Sequence, residues 1–114
     1  MFSIDFQNRT PIYEQIVNQV EKFIMVGILK EGEQLPSVRQ VASDLGINPN
    51  TIQKAYSELE NKKMIVSVLG KGNFVGKNIE NIKENKKQEL IKRIKNDVKE
   101  LENLGVNVKD ILNI

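Results

Sequence analysis

Four polar side chains share one face of a predicted helix and carry the most distinctive chemistry in the sequence. They are Asn50, Thr51, Gln53 and Lys54. The opposite face is apolar and repeats every three or four residues, through Ile52, Ala55, Tyr56 and Leu59. The polar face is rich in hydrogen-bond donors and almost free of acid over its first two turns. A helix of this kind can lie in the major groove of DNA, where base edges offer donors and acceptors.

The start of this helix is well marked. Asn48 is a strong N-cap residue, and Pro49 fits the first helical position, where a missing N–H costs nothing. The helix dipole adds partial positive charge at the same end, which favours a nearby phosphate. The alternative interpretation is an ordinary solvated helix face, and capping alone accounts for Asn48.

A shorter helix is predicted just before it, so that the two meet at a tight turn. Ser37 is its expected N-cap, and Gln40 is placed three residues later to close a capping box. Gly46 ends the helix because glycine adopts the left-handed conformation without strain. Arg39 lies on the polar side beside Ser37, and both are candidates for phosphate or base contact. The alternative for Arg39 is a solvated surface arginine.

The period of the apolar residues changes after the second of these helices. Residues 64–69 and 73–75 are β-branched and apolar, and they flank Gly70, Lys71 and Gly72. This pattern predicts a β-hairpin, which after a helix-turn-helix is the wing of a winged helix. The glycines permit close approach to a phosphate that Lys71 would neutralise. The alternative for Lys71 is an ordinary solubilising turn residue.

The N-terminal part is expected to supply the core. Phe2, Ile4 and Phe6 alternate and either pair as a strand or pack on the body of the protein. Thr10 as cap and Pro11 in the first turn predict the start of an amphipathic helix that Gly27 closes. Its apolar stripe, which Tyr13 widens, is interpreted as core.

The composition shifts beyond Lys77, which predicts a boundary between a head of residues 1–77 and an appendage of residues 78–114. A long amphipathic helix is expected over residues 80–104, followed by a short helix capped by Asn107. The apolar side chains of these helices would pack either on the head or on a second subunit, and we favour a dimer interface. They are Leu90, Ile91, Ile94, Val98, Leu101, Val108, Ile111 and Leu112.

Composition excludes several functions. The 114 residues include 17 Lys and Arg and 15 Asp and Glu, with neither His nor Cys. Ser-His-Asp and Cys-His catalysis are therefore excluded, and the commonest metal ligand is missing. The Gly70-Lys71-Gly72 tip does not match a phosphate-binding loop, because glycine follows the lysine. We expect no enzyme, cofactor, metal site or membrane span, and a cytoplasmic location.

Three motifs together resemble a known family. Residues 35–42 (LPSVRQVA), 50–56 (NTIQKAY) and 70–75 (GKGNFV) are similar to the winged-helix head of GntR-type bacterial transcription regulators. The short helical C-terminal part resembles the YtrA-like subfamily of that family. The resemblance implies a cytoplasmic homodimer that binds a palindromic operator in double-stranded DNA. It also implies repression, often of operons that encode ABC transporters.

The resemblance also implies roles for individual residues. Arg39 would contact DNA, the Gly70-Lys71-Gly72 tip would reach the backbone or minor groove, and the polar face of the second helix would enter the major groove. Gln53 departs from the family, because many members carry arginine there. Arginine can read guanine, whereas glutamine more naturally pairs with adenine, so the operator preference cannot be transferred.

The sequence therefore predicts a mostly α fold with a small β-hairpin wing, in which a winged helix-turn-helix head carries a short helical dimerisation appendage. The predicted function is that of a dimeric DNA-binding repressor, and a small-molecule effector is left open. The alternative is a winged helix used for protein–protein contact, as in an accessory factor. That alternative predicts an apolar or acidic third helix, which the residues from Asn50 to Lys54 do not provide.

Overall fold

A computed structural model describes residues 2–113, which fall into two compact units, one up to Ile79 and one from Glu80 onwards. The first unit contains three helices and a two-stranded hairpin, and the second is helical. This confirms the predicted mostly α fold with a hairpin wing. The elements are α1 (Ile12–Met25), α2 (Val38–Leu45), α3 (Pro49–Asn61), β1 (Ile65–Val68), β2 (Gly72–Val75), α4 (Ile79–Asn103) and α5 (Val108–Leu112).

The core of the first unit lies between α1, α2 and α3. Each helix contributes the apolar side of its 3.6-residue repeat, and the hairpin adds residues from its first and last positions. Burial of these side chains removes apolar surface from water and is the main source of stability. The buried residues of the three helices are Ile16, Val17, Val20, Ile24, Val41, Ala42, Ile52, Ala55, Tyr56 and Leu59.

The N-terminal segment packs on α1, and within the described residues 2–6 it forms no strand. Two glutamines of α1 bind its backbone: Gln19 Oε1 accepts from Ser3 N–H and Gln15 Oε1 accepts from Asp5 N–H, both at 3.0 Å. The Phe2 ring stacks on Phe23 with centroids 6.2 Å apart. Of the two predicted outcomes, packing is therefore the correct one.

The predicted start of α1 was wrong by one residue. The helix begins at Ile12 with Pro11 at the N-cap position, and no side chain caps it. The Thr10 carbonyl instead accepts a hydrogen bond from Gln15 Nε2 at 2.9 Å. Thr10 therefore belongs to the turn before the helix, while Gly27 (φ +83°) follows the end of α1 as expected.

The capping predictions for the helix-turn-helix are correct with one exception. Ser37 Oγ accepts from Gln40 N–H at 3.0 Å, and Gly46 ends α2 in the left-handed conformation. The capping box is not reciprocal, however, because the Gln40 amide donates to Asp44 Oδ1 at 2.7 Å. Asn48 caps α3 as predicted.

The hairpin is antiparallel, with Val68 opposite Gly72 next to the turn and Ile65 opposite Val75 at the open end. Its first strand is shorter than the predicted 64–69, because Met64 and Leu69 both lie in turns. Met64 N–H donates to the Leu59 carbonyl at 2.9 Å and so closes the turn that leaves α3. In that turn Lys63 takes a positive φ of 63°.

The second unit consists of α4 after its first residue, and α5. The long helix is shifted by one residue from its predicted bounds, and Asn107 caps α5 by accepting from Lys109 N–H at 3.1 Å. Of the residues predicted at a dimer interface, Leu90, Ile94, Ile111 and Leu112 are exposed and Ile91, Val98, Leu101 and Val108 are half-buried. None of the helices described within residues 2–113 is long and apolar enough to cross a membrane.

Candidate nucleic-acid interface

The polar face of α3 points away from the core. Ile52 and Ala55 have no exposed surface, whereas Asn50, Gln53 and Lys54 are exposed. Thr51 is half-buried at the edge of this face. The 3.6-residue period of the sequence therefore places all four predicted side chains outside the core, with Thr51 the least accessible.

The N-terminus of α3 is electrostatically suited to an anion. Its first turn contains no acidic residue. Asn48 Oδ1 accepts from Asn50 N–H at 2.8 Å, so the cap satisfies one of the unpaired N–H groups and leaves the Asn50 side chain exposed. The partial positive charge of the helix dipole is therefore not offset by a carboxylate within this turn.

The amide of Gln53 is held by a neighbour on the same helix face. Gln53 Nε2 donates to Ser57 Oγ at 3.1 Å, and both side chains are exposed. Residues four apart on a helix are neighbours, which makes this contact possible. One amide N–H of Gln53 is therefore already engaged in the free protein.

The ammonium group of Lys54 lies over an aromatic ring. Lys54 Nζ is 3.9 Å from the ring centroid of Tyr13, within the range of a cation–π contact. The helical repeat of α1 placed Tyr13 only in the core stripe, so its contact with Lys54 was not predicted. Tyr13 and Lys54 are 41 positions apart, and no local pattern in the sequence signals their contact.

The start of α2 presents a second predicted cation. Arg39 is exposed, and among the ion pairs of residues 2–113 none involves it. Ser37 is also exposed, but its oxygen already accepts the capping hydrogen bond from Gln40. The hydroxyl hydrogen of Ser37 is the group left to donate to an outside acceptor such as a phosphate.

The wing tip is a tight turn around Gly70, whose φ is +76°. Lys71 N–H donates to the Val68 carbonyl at 2.9 Å and closes the turn. Lys71 is exposed, and Leu69 beside it is fully exposed. Gly72 also has a positive φ of 117°, and a Cβ there would lie 3.0 Å from Gln34 Nε2. Both glycines are therefore required by the backbone, whatever their role towards a ligand.

A four-residue junction connects the three parts of this surface. Gln34 Nε2 donates to the Lys71 carbonyl at 3.0 Å, which ties the loop before α2 to the wing tip. Two residues on, the Pro36 carbonyl accepts from the Tyr56 hydroxyl of α3 at 2.7 Å. Ser37 then caps α2. Sequence reasoning missed Gln34, because its partner is 37 positions away.

The buried Tyr56 hydroxyl gives stability a specific pH dependence. Burial raises the pKa of Tyr56 far above its ordinary value of about 10. Above pH 10 the unfolded chain therefore releases a proton that the folded chain keeps, and the free energy of unfolding falls by up to about 1.4 kcal/mol per pH unit.

We expect Tyr56→Phe to lower the free energy of unfolding by about 1 kcal/mol at neutral pH, because the Pro36 carbonyl loses its donor. The difference should vanish at about pH 11 and reverse above it, since Phe cannot ionise. The hydrogen bond to Glu21 raises the pKa of Lys62, which also removes stability in alkali, but this pair is common to both proteins. Urea unfolding from pH 7 to 11.5 tests the prediction; a constant difference would contradict it.

A helix-turn-helix with exposed amide and cationic side chains on α3, followed by a wing with an exposed lysine at its tip, defines a winged-helix DNA-binding protein. Comparison with known proteins gives the same result. The family model described as "Bacterial regulatory proteins, gntR family" matches residues 12–75, more than half of the chain. The chain belongs to this family, as the three sequence motifs predicted. It is a DNA-binding transcriptional regulator and not an enzyme.

Individual relatives extend the likeness to the second unit. The HTH-type transcriptional repressor YtrA of Bacillus subtilis is 41% identical over 92 residues, which cover 81% of this chain and 71% of that protein. A transcriptional regulator from Oenococcus oeni has a similar structure, with a TM-score of 0.77 and 34% identity over 99% of this chain and 97% of the other. AraR(DBD), crystallised in complex with an operator, has a TM-score of 0.60 and 25% identity over 65% and 95% of the two chains.

Proposed function

We propose that the protein is a homodimeric repressor that binds a palindromic operator. Residues 1–77 would form the DNA-binding head and residues 78–114 the dimerisation region. The Bacillus subtilis relative is named a repressor, which supports this direction of regulation. A cytoplasmic location, a transporter operon as target and an unidentified effector complete the proposal, and they rest on the resemblance to YtrA-like regulators.

The observation that carries the proposal is the outward face of α3, which starts at an Asn-Pro cap and has no acid in its first turn. Asn50, Thr51 and Gln53 would read base edges in the major groove, since amide and hydroxyl side chains match their donors and acceptors. The cations would bind phosphates and set a salt-dependent affinity. The proposed DNA-binding residues are Ser37, Arg39, Asn50, Thr51, Gln53, Lys54, Gly70, Lys71 and Gly72.

The apolar stripe of the second unit supports the dimer. After Ile79, none of the residues of α4 is buried, and Ile94 is 58% exposed. Large apolar side chains in a row on one helix favour a protein partner over water. A second copy of the same helix would cover them, and most soluble homo-oligomers are twofold dimers. Two heads would then meet half-sites about one helical turn, or a multiple of it, apart.

Selection of bound sequences from a random duplex pool tests the proposal. The full chain should enrich one motif with two inverted half-sites. Enrichment of a motif without inverted symmetry would contradict the palindromic operator, and no enrichment would contradict sequence-specific binding.

We expect Arg39→Ala to weaken binding of the selected duplex by about 1–3 kcal/mol, the scale of a charge-assisted hydrogen bond. The slope of log affinity against log salt should also fall by about one unit per lost phosphate contact in each half-site. Arg93→Ala is the matched control, because Arg93 is an exposed arginine on α4 that pairs with Glu89. Anisotropy titrations at several salt concentrations measure both quantities. Equal effects of the two substitutions would refute the role of Arg39.

A further inference from the structure

The hydrogen bond between Gln53 and Ser57 has a consequence for sequence readout. We propose that Ser57 is a positioning residue that makes Gln53 select adenine over guanine in the operator. The inference rests on the proposed placement of α3 in the major groove.

The selection depends on the donors and acceptors of the glutamine amide and of the two purines. A glutamine side chain offers two N–H donors on Nε2 and one acceptor, Oε1. Guanine presents two acceptors in the major groove, O6 and N7, whereas adenine presents the N7 acceptor and the N6 donor. A glutamine without a partner on its own helix can therefore turn both N–H groups towards guanine or one N–H and its oxygen towards adenine.

Ser57 removes the first of these choices. Because Gln53 Nε2 donates one hydrogen to Ser57 Oγ at 3.1 Å, a single N–H and Oε1 remain for the base. That donor–acceptor pair is complementary to adenine and leaves one guanine acceptor unpaired. An unpaired acceptor is unfavourable at an interface from which water is excluded. The preference for adenine therefore arises both from its paired contacts and from the acceptor that guanine would leave unpaired.

The position of Ser57 makes this role separable from folding. The side chain is exposed, and its short hydroxymethyl group leaves the rest of the polar face accessible. Alanine is a stronger helix former than serine, so Ser57→Ala should not unfold α3. Ser57→Thr keeps the hydroxyl and serves as the conservative control.

The experiment uses the full chain and four proteins: wild type, Gln53→Ala, Ser57→Ala and Ser57→Thr. Selection from a random duplex pool gives the wild-type motif, and loss of preference in Gln53→Ala identifies the base that Gln53 reads. Fluorescein-labelled duplexes with each of the four bases at that position are then titrated at fixed salt. We expect adenine in the wild-type motif, and a preference for adenine over guanine that falls roughly tenfold in Ser57→Ala and is kept in Ser57→Thr.

Each other result overturns a distinct statement. An unchanged adenine preference in Ser57→Ala, with a lost preference in Gln53→Ala, would refute the role of Ser57 and leave the proposed function intact. A guanine at the position that Gln53 reads would also refute it. A wild-type protein that enriches no motif would overturn the proposed function itself, and the inference with it.

Discussion

Ile94→Glu is expected to separate the proposed dimer into monomers and to weaken binding of the full operator by about 10²–10⁴-fold. Ile94 is 58% exposed at the centre of the apolar stripe of α4. In a twofold interface the substitution places two carboxylates against apolar surface, and a charge buried without a partner is strongly unfavourable. A monomer loses the effective concentration that links its two half-sites, although each head keeps its own contacts.

Asn96→Glu is the matched control. Asn96 lies two residues further on, so it projects from the opposite side of α4, where it is exposed. The new side chain and its charge are the same, so a general effect of added negative charge on DNA affinity would appear in both variants. Sedimentation velocity gives the oligomeric state, and anisotropy titration gives the affinity. A dimeric Ile94→Glu protein, or equal loss of affinity in the two variants, would contradict the proposed interface.

The features that could be predicted from the sequence are those that depend on near neighbours. Ser37, Gly46 and Asn48 satisfy backbone groups within a few residues, so their roles follow from residue type and position. The failed reciprocal capping box shows the limit of this reasoning. Spacing along the helix offers Gln40 two contacts. Its Oε1 could accept from Ser37 N–H and close the capping box, or its Nε2 could donate to Asp44 four residues on, and the structure has the second. Local spacing could not rank these two contacts.

The features that could not be predicted depend on residues far apart in the chain. The alternation of Phe2, Ile4 and Phe6 suits a strand, but Gln15 and Gln19 supply backbone partners for this segment from α1. For the candidate site, helical periodicity correctly placed the polar face of α3 outside the core. It gave no sign of the contact of Lys54 with Tyr13, because only the packing of α3 against α1 brings the two together.

The surface proposed to bind DNA depends on the core beneath it. We expect Leu59→Ala to lower the free energy of unfolding by about 2–5 kcal/mol, the range for removing a buried leucine side chain. Leu59 has no exposed surface and lies in the core that α3 shares with α1. The loss has two parts. The favourable free energy of burying the removed methyl groups is gone, and the cavity that they leave does not fully close.

Leu69→Ala is the control for this prediction, since it makes the same chemical change at a side chain that is fully exposed at the wing tip. Its free energy of unfolding should stay within about 0.5 kcal/mol of the wild type. Urea unfolding followed by circular dichroism measures both, at one fixed protein concentration because the stability of the proposed dimer would depend on concentration. A similar loss in the two variants would show that Leu59 does not anchor α3. A large loss in Leu59→Ala alone would show that apolar contacts in the core hold α3 in place beneath the surface proposed to bind DNA.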